Sequence, residues 1–219
     1  EINKTALSPS YPIPTSALVK GTPLRGDASK YLTYDLAKAK SLLDAAGWKP
    51  GADGIRVKDG KRLSFPIRIA PYYQVSQSVL EIVQAQWKKA GVEITLTSPS
   101  VTDYEAQLAS GKDWYFSQGQ TSTADPGVLR TAYETDRQNV TGNYRPDTTL
   151  NQLLDAQSAD FDPAKRKAAI QAIEDRIFSE GYSIPLYDET QVFGLASNVH
   201  GFGTESTGRS WLYDTWLRQ

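Results

Sequence analysis

The sequence predicts an α/β fold, on three observations. Two amphipathic helices are each stopped by a glycine: Asp35 to Gly47, and Val79 to Gly91, the second feeding directly into Val92-Glu93-Ile94. Between them, Leu63, Phe65, Ile67 and Ile69 alternate with Ser64, Pro66, Arg68 and Ala70, the period-two pattern of a strand with one buried and one wet face. Strand, helix, strand, helix and strand then follow one another through residue 118, an order that favours a layered fold with crossover connections.

Residues 1–30 are rich in Pro, Ser, Thr and Gly and read as an extended connector laid over a surface. The first helix opens at Asp35, whose carboxylate can cap the first-turn amides. Ala39, Leu42, Leu43 and Ala46 fall at i, i+3, i+4 and i+7, predicting one buried stripe, and Gly47 ends the helix in a left-handed conformation. A small hairpin is expected next, with Ile55-Arg56-Val57, an Asp59-Gly60 turn and a return strand from Leu63; Pro66 lacks a ladder donor and points to an edge or a bulge. A helix over 76–90, a strand over 92–96, a shorter helix near Asp103–Ala109 and a strand near Trp114–Gln118 follow. Residues 121–144 read as loop and short helix. Leu150, Leu153 and Leu154 mark a helix after Asp147. Asp162-Pro163 opens a longer one, with proline in the first turn where no N–H is needed, and Ile170, Ile173, Ile177 and Phe178 as its buried face before Gly181. From Ile184 to the end the chain reads as strands and turns.

The totals narrow the function. The 24 basic and 25 acidic side chains nearly cancel, with no basic block of the kind that a phosphate backbone attracts, so a nucleic-acid partner is not expected. No apolar run approaches the roughly 20 residues of a membrane helix, and no signal-peptide pattern opens the chain. Cysteine is absent, which excludes disulfides and thiolate metal sites. A chain that starts at Glu1 and contains no methionine reads as a processed or excised segment.

Catalytic patterns are weak. His200 is the single histidine and sits in a turn-like Asn198-Val199-His200-Gly201, so common zinc sites and a Ser-His-Asp triad lack their parts and an exposed loop histidine is expected. Carboxylates such as Asp44, Asp103, Asp113 and Asp125 are scattered without a spacing that pairs them. Ser110-Gly111-Lys112 is too short for a phosphate loop. Trp48 and Trp87 are read as core. Binding candidates lie instead in two loops beyond strand ends, where ligands gather in open α/β sheets: Tyr72-Tyr73-Gln74, and Gln118-Gly119-Gln120-Thr121-Ser122. Their amide, hydroxyl and phenol groups suit a neutral or zwitterionic ligand.

Several ordered runs carry a resemblance. Tyr34-Asp35 with Ala39-Lys40 and Leu42 through Trp48, the Asp59-to-Leu63 hairpin, Gln84 through Ile94, Asp125-Pro126, Tyr144 through Asp147 and Ile184 through Tyr187 occur in the order found in extracytoplasmic solute-binding proteins of the peptide/nickel class (family 5), the receptors of ABC importers. The chain resembles the C-terminal part of such a protein over roughly residues 10–219. The resemblance implies one lobe of a two-lobed, class II periplasmic-binding-protein-like fold. Residues 31–188 would form the α/β ligand-binding lobe, 1–30 a connector, and 189–219 a return segment that normally completes the other lobe.

It also implies capture of a small solute, foremost an oligo- or dipeptide, outside the cell and its delivery to a membrane permease, with no bond chemistry and no cofactor or metal. Membrane contact would come only through a lipid anchor upstream. The ligand-binding residues it marks, with the loops above, are Tyr73, Gln74, Gln118, Gln120, Ser122 and Asp125. Peptide-binding members often carry a Trp and then an acid shortly before Asp-Pro. Here Gln120 stands near the Trp position and no acid precedes Asp125, which leaves a sugar, an opine-like solute or a metal chelate open and makes helix capping an alternative role for Asp125. Two readings compete: a hydrolase using paired carboxylates, and a signalling or chaperone-like member that engages a protein partner.

Overall fold

The structure is a computed structural model that describes residues 1–8, 10–72, 76–110, 125–135, 146–205 and 208–218. They fall into two compact units, 1–8 with 33–110, and 10–32 with 125–135 and 146–218.

The first unit opens with a short α1 (Ile2–Thr5) and continues at α2 (Leu36–Ala45). The Lys38 N–H donates to Asp35 Oδ1 at 2.8 Å, and Gly47 follows with φ +88°. The apolar stripe of α2 is not buried as its periodicity predicts. Leu43 and Ala39 are half-covered, and Leu42 is 61% exposed. Periodicity shows which face is apolar, and nothing in it supplies a covering surface.

Strands β1 (Lys49–Pro50), β2 (Arg56–Lys58) and β3 (Lys61–Arg62) form an antiparallel sheet in that order. Asp59 and Gly60 turn it with φ of +50° and +74°, the left-handed pair of a two-residue hairpin. The return strand departs from expectation: β4 (Ser64–Arg68) leaves the hairpin and pairs in parallel with β5 (Glu93–Thr97), from Ser64 opposite Glu93 to Arg68 opposite Thr97. The crossover is α3 (Ser76–Ala90), whose Val79, Leu80 and Val83 are buried. Clean alternation is lost as well. Ser64 is exposed, but residues 65–68 are all half-buried and Ile69 and Ala70 both buried. Arg68, expected on the wet face, is drawn in because its Nε donates to Gln107 of α4 (Val101–Ala109). Trp48 and Trp87 are half-buried rather than core, and Trp87 meets Phe65 edge-on at 5.7 Å.

Arg56 holds this unit together. Its side chain is 4% exposed and donates to Asp44 Oδ1 (2.7 Å), Trp48 O (2.6 Å), Ala90 O (2.9 Å) and Lys40 O (3.3 Å). One guanidinium thus serves the last carbonyl of α3, the Trp48 carbonyl just past α2 and the Lys40 carbonyl within it, and the helix dipole favours positive charge beside both C-terminal ends. Gly91 makes room for it. At φ +86°, a Cβ there would lie 2.8 Å from Arg56 Cγ and 3.0 Å from Gly54 O. Gly91→Ala is therefore expected to cost about 2 kcal/mol through backbone strain and crowding together, read as a lower urea midpoint.

The second unit is built on α5 (Val128–Tyr133), α6 (Thr148–Ala159) and α7 (Pro163–Ser179). Asp147 caps α6 at Leu150 N (2.9 Å), and Asp162 caps α7 at Ala164 N (2.8 Å) and Lys165 N (3.1 Å). Leu129, Leu150, Leu154, Ile170, Ile173 and Ile177 are fully buried between these helices. Leu18 and Ala28, from the stretch read as a surface connector, enter the same core. Beyond α7 the chain makes two antiparallel pairs of very short strands, β6 (Val199–His200) with β9 (Trp216–Leu217), and β7 (Gly203–Thr204) with β8 (Ser210–Trp211). His200 is not an exposed loop residue: it is half-buried in β6, its ring stacked 4.5 Å from that of Trp216.

Candidate functional site

Of the six candidate binding residues, Asp125 alone lies within the described part of the chain. Tyr73, Gln74, Gln118, Gln120 and Ser122 fall outside the described residues, as does the strand expected near Trp114–Gln118.

Asp125 is positioned by the turn into α5. Its Oδ1 accepts from Gly127 N at 2.6 Å, and both oxygens are held by Arg166 of α7, at 2.6 Å from Nη2 and 2.9 Å from Nη1. Arg166 also reaches Gln157 Oε1 of α6 at 3.3 Å. The Arg166 guanidinium, more than the Gly127 amide and against a desolvation that opposes them, keeps the Asp125 carboxyl below the usual carboxylate range. The residue thus brackets the starts of α5 and α7.

That geometry separates two roles by experiment. The pair is half open to water, so Asp125→Asn is expected to lower stability by only about 0.5–1 kcal/mol, and Arg166→Gln to match it. Thermal unfolding of both variants checks the bracket. A D125N protein of unchanged stability but weakened ligand binding, beside an unaffected R166Q, would assign Asp125 to the ligand instead.

The remaining polar architecture is mostly ionic ties. Arg62 joins Asp53 (2.5 Å) and Glu93 (3.0 Å), and Arg130 joins Glu134 (2.7 Å) and Asp155 (2.6 Å). Arg62, with help from Ser64, brings the half-exposed Glu93 down to about 2, the reverse of what a general acid needs. Among the described residues no group of three or more His, Cys, Asp or Glu could hold a metal ion. None of their helices is long and apolar enough to cross a membrane.

One open cleft, of about 410 Å³, lies in the second unit and is lined by Lys20, Asp188, Gln191, Phe193 and Glu205 among others. Burial pushes the Asp188 carboxyl up, against Arg25 and the Lys20 amide. The Ile184-to-Tyr187 run leads straight into it, and Tyr187 meets Tyr11 edge-on at 5.9 Å. Sequence reasoning passed over Asp188; its one signal was its place directly after that run.

Residues 1–140 match the model of the bacterial extracellular solute-binding proteins, family 5 Middle. The chain belongs to that family. Among its relatives, protein XP55 of Streptomyces lividans is 29% identical over 181 residues, 80% of this chain and 33% of that protein. The oligopeptide-binding protein OppA of Lactococcus lactis subsp. cremoris (strain SK11) is 27% identical over 179 residues, 78% of this chain and 28% of its own length. The chain thus spans about a third of the length of these curated family members. In fold it is similar to the oligopeptide-binding protein AppA of Bacillus subtilis in complex with a nonapeptide, with a TM-score of 0.82 and 20% identity over 100% of this chain and 45% of that one. The α/β lobe of a periplasmic-binding-protein-like fold, expected from the ordered motifs, is the fold observed.

Proposed function

We propose that the chain is part of the substrate-binding component of an ABC import system, which captures an oligo- or dipeptide outside the cell and hands it to a membrane permease. The observation that carries this reading is the family match over residues 1–140, joined to a fold shared along the whole chain with peptide-bound AppA. In this reading the work is binding and release. Residues 31–188 serve as the ligand-binding lobe, 1–30 lead into it, and 189–219 return to complete the other lobe. Exposure of Trp211, Leu212, Tyr213, Trp216 and Leu217 within the last segment supports the final point, because apolar surface of this extent is normally covered by a partner surface. A lipid anchor upstream would keep the protein at the cell surface.

The ligand is met by Tyr73 and Gln74 from one loop and by Gln118, Gln120 and Ser122 from the other, with Asp125 following the second. Side-chain amides suit the exposed peptide groups of a ligand whose sequence varies, since they bind backbone rather than side chains. The test is mass spectrometry of small molecules released by denaturation from the longer protein, purified without added ligand. A mixture of short peptides is expected. A single sugar, opine or metal chelate would overturn the peptide assignment. Gln120→Ala is then expected to weaken binding of the identified peptide about tenfold, the effect of one or two lost hydrogen bonds.

A further inference from the structure

Residues 15–28 close on themselves. The Ala28 N–H donates to Thr15 O at 2.6 Å, and Arg25 Nη2 donates to Thr15 Oγ1 at 2.7 Å, giving an Ω-type loop whose ends meet. The loop and the turn after it are fastened along one face of α7. Gln171 exchanges hydrogen bonds with the Asp27 backbone (2.8 and 3.0 Å), Asp175 pairs with Lys30 at 3.0 Å, and Phe178 stacks on Tyr31 at 6.2 Å. These positions, 171, 175 and 178, share a face with Glu174 at its centre.

Glu174 is fully buried and points into the closed loop. Its Oε1 accepts from the Ser16 hydroxyl, which in turn accepts from the Leu18 N–H at 2.9 Å. Oε2 has no hydrogen-bond partner among the described residues, and it sits so close to Gly26 that a Cβ there would lie 2.8 Å away. Leu24, in the same loop, holds a left-handed φ of +58°, a conformation that persists only where surrounding contacts enforce it.

We propose that Glu174 is a proton-operated clasp: uptake of one proton at its carboxyl tightens the 15–28 loop on α7, and loss of that proton loosens it. The reason is burial with too few donors. The carboxylate carries a full charge into a site where Oε2 makes no well-formed hydrogen bond and, beside the Ser16 hydroxyl, only the Gly26 and Ala17 amides face the group, whereas the neutral acid does not. Burial pushes the carboxyl up, against Ser16, Arg25 and the Gly26 and Ala17 amides. A group whose pKa is raised in the closed state adds stability that is complete below its ordinary value and is lost as pH rises through the raised one.

The charged and titratable neighbours are few. Arg25 faces Glu174 from the loop, and Tyr133 from α5, its hydroxyl held up at about 12 by burial and neutral throughout. On α7 itself Asp175 is tied to Lys30. Asp188 senses the same Arg25 and is also pushed up, so it is the control. The clasp does not depend on what the protein binds. The chain leaves this unit directly after the clasp, at Leu32, so the clasp sets how firmly that exit is anchored to α7.

The test is amide hydrogen exchange on the 219-residue chain between pH 5 and 8, corrected for intrinsic rates and read at Leu18 and Ala28. Protection of both is expected to fall with rising pH by up to about tenfold per pH unit, the limit for one proton. Glu174→Gln should abolish the dependence and stay tight at pH 8. Ser16→Ala, read at Ala28 because it also removes the acceptor of the Leu18 amide, takes a donor from the charged form and should move the transition to higher pH; it decides the matter alone if E174Q does not fold. Asp188→Asn should leave the transition in place. Protection that ignores pH in the unmodified chain, survives as a transition in E174Q, or disappears in D188N would overturn the proposal.

Discussion

Arg56→Ala is expected to destabilise the first unit by about 3–4 kcal/mol, because it removes a buried cation and leaves its four acceptors without it. The carbonyls of Trp48, Ala90 and Lys40 lose the donor that meets them at 2.6, 2.9 and 3.3 Å. Trp48 and Ala90 are half-buried, so water replaces that donor only in part, while the exposed Lys40 carbonyl loses least. Arg56→Lys should recover less than half, since one ammonium cannot span acceptors at two helix ends as a planar fork does. Asp44→Ala should cost less, because Arg56 keeps its three carbonyl acceptors and water can enter the half-exposed space that the carboxylate leaves. Urea unfolding of the three variants gives the ranking. An R56K protein as stable as the unmodified chain would show that charge alone, not the fork, holds the two helices.

Asp147→Ala is expected to have the larger effect in the second unit, about 3–5 kcal/mol, because one buried carboxylate does three tasks. It caps α6 at Leu150 N, accepts from Arg176 Nε at 2.9 Å and from the Tyr182 hydroxyl at 2.7 Å, and its side chain is 3% exposed. Asp147→Asn keeps the cap but turns an amide toward two donors, so it should recover only about 1 kcal/mol. The pH dependence has a definite sign. Burial works against the charge, but the Leu150 amide, Tyr182 and Arg176 together hold the carboxyl below its ordinary value. Its stabilisation is thus complete above that ordinary value and is lost as pH falls through the depressed one. Urea midpoints measured from pH 7 into the acid range should converge between the unmodified chain and D147N as the carboxylate protonates.

These two residues mark where sequence reading stops. Asp147 was legible as a helix cap from its place before Leu150, yet its ties to Arg176 and Tyr182 join positions about thirty residues apart, and no local spacing encodes them. Arg56 looked like one polar residue of a hairpin strand; only the tertiary arrangement turns it inward under two helix ends. The helix over 76–90 and the Asp59-Gly60 turn were readable because caps, period and turn chemistry act within a few residues. Strand β4 was assigned to the hairpin because a turn sets only local register. Its five-residue parallel partner across α3 took precedence over a two-residue extension of β3. For the candidate binding residues the sequence offered loop position and side-chain type, and of those six Asp125 is the one within the described residues.

The C-terminal strands have a practical consequence for every measurement proposed above. Trp216 and Leu217 are 55% and 66% exposed on a pair only two residues long, and Tyr213 is 87% exposed beside them. Such a surface drives self-association, so the 219-residue chain should show scattering and exchange behaviour that change with protein concentration. Unfolding midpoints will report the lone molecule only where dilution no longer shifts them. A soluble surfactant or a charge placed at Tyr213 should widen that range without touching either core.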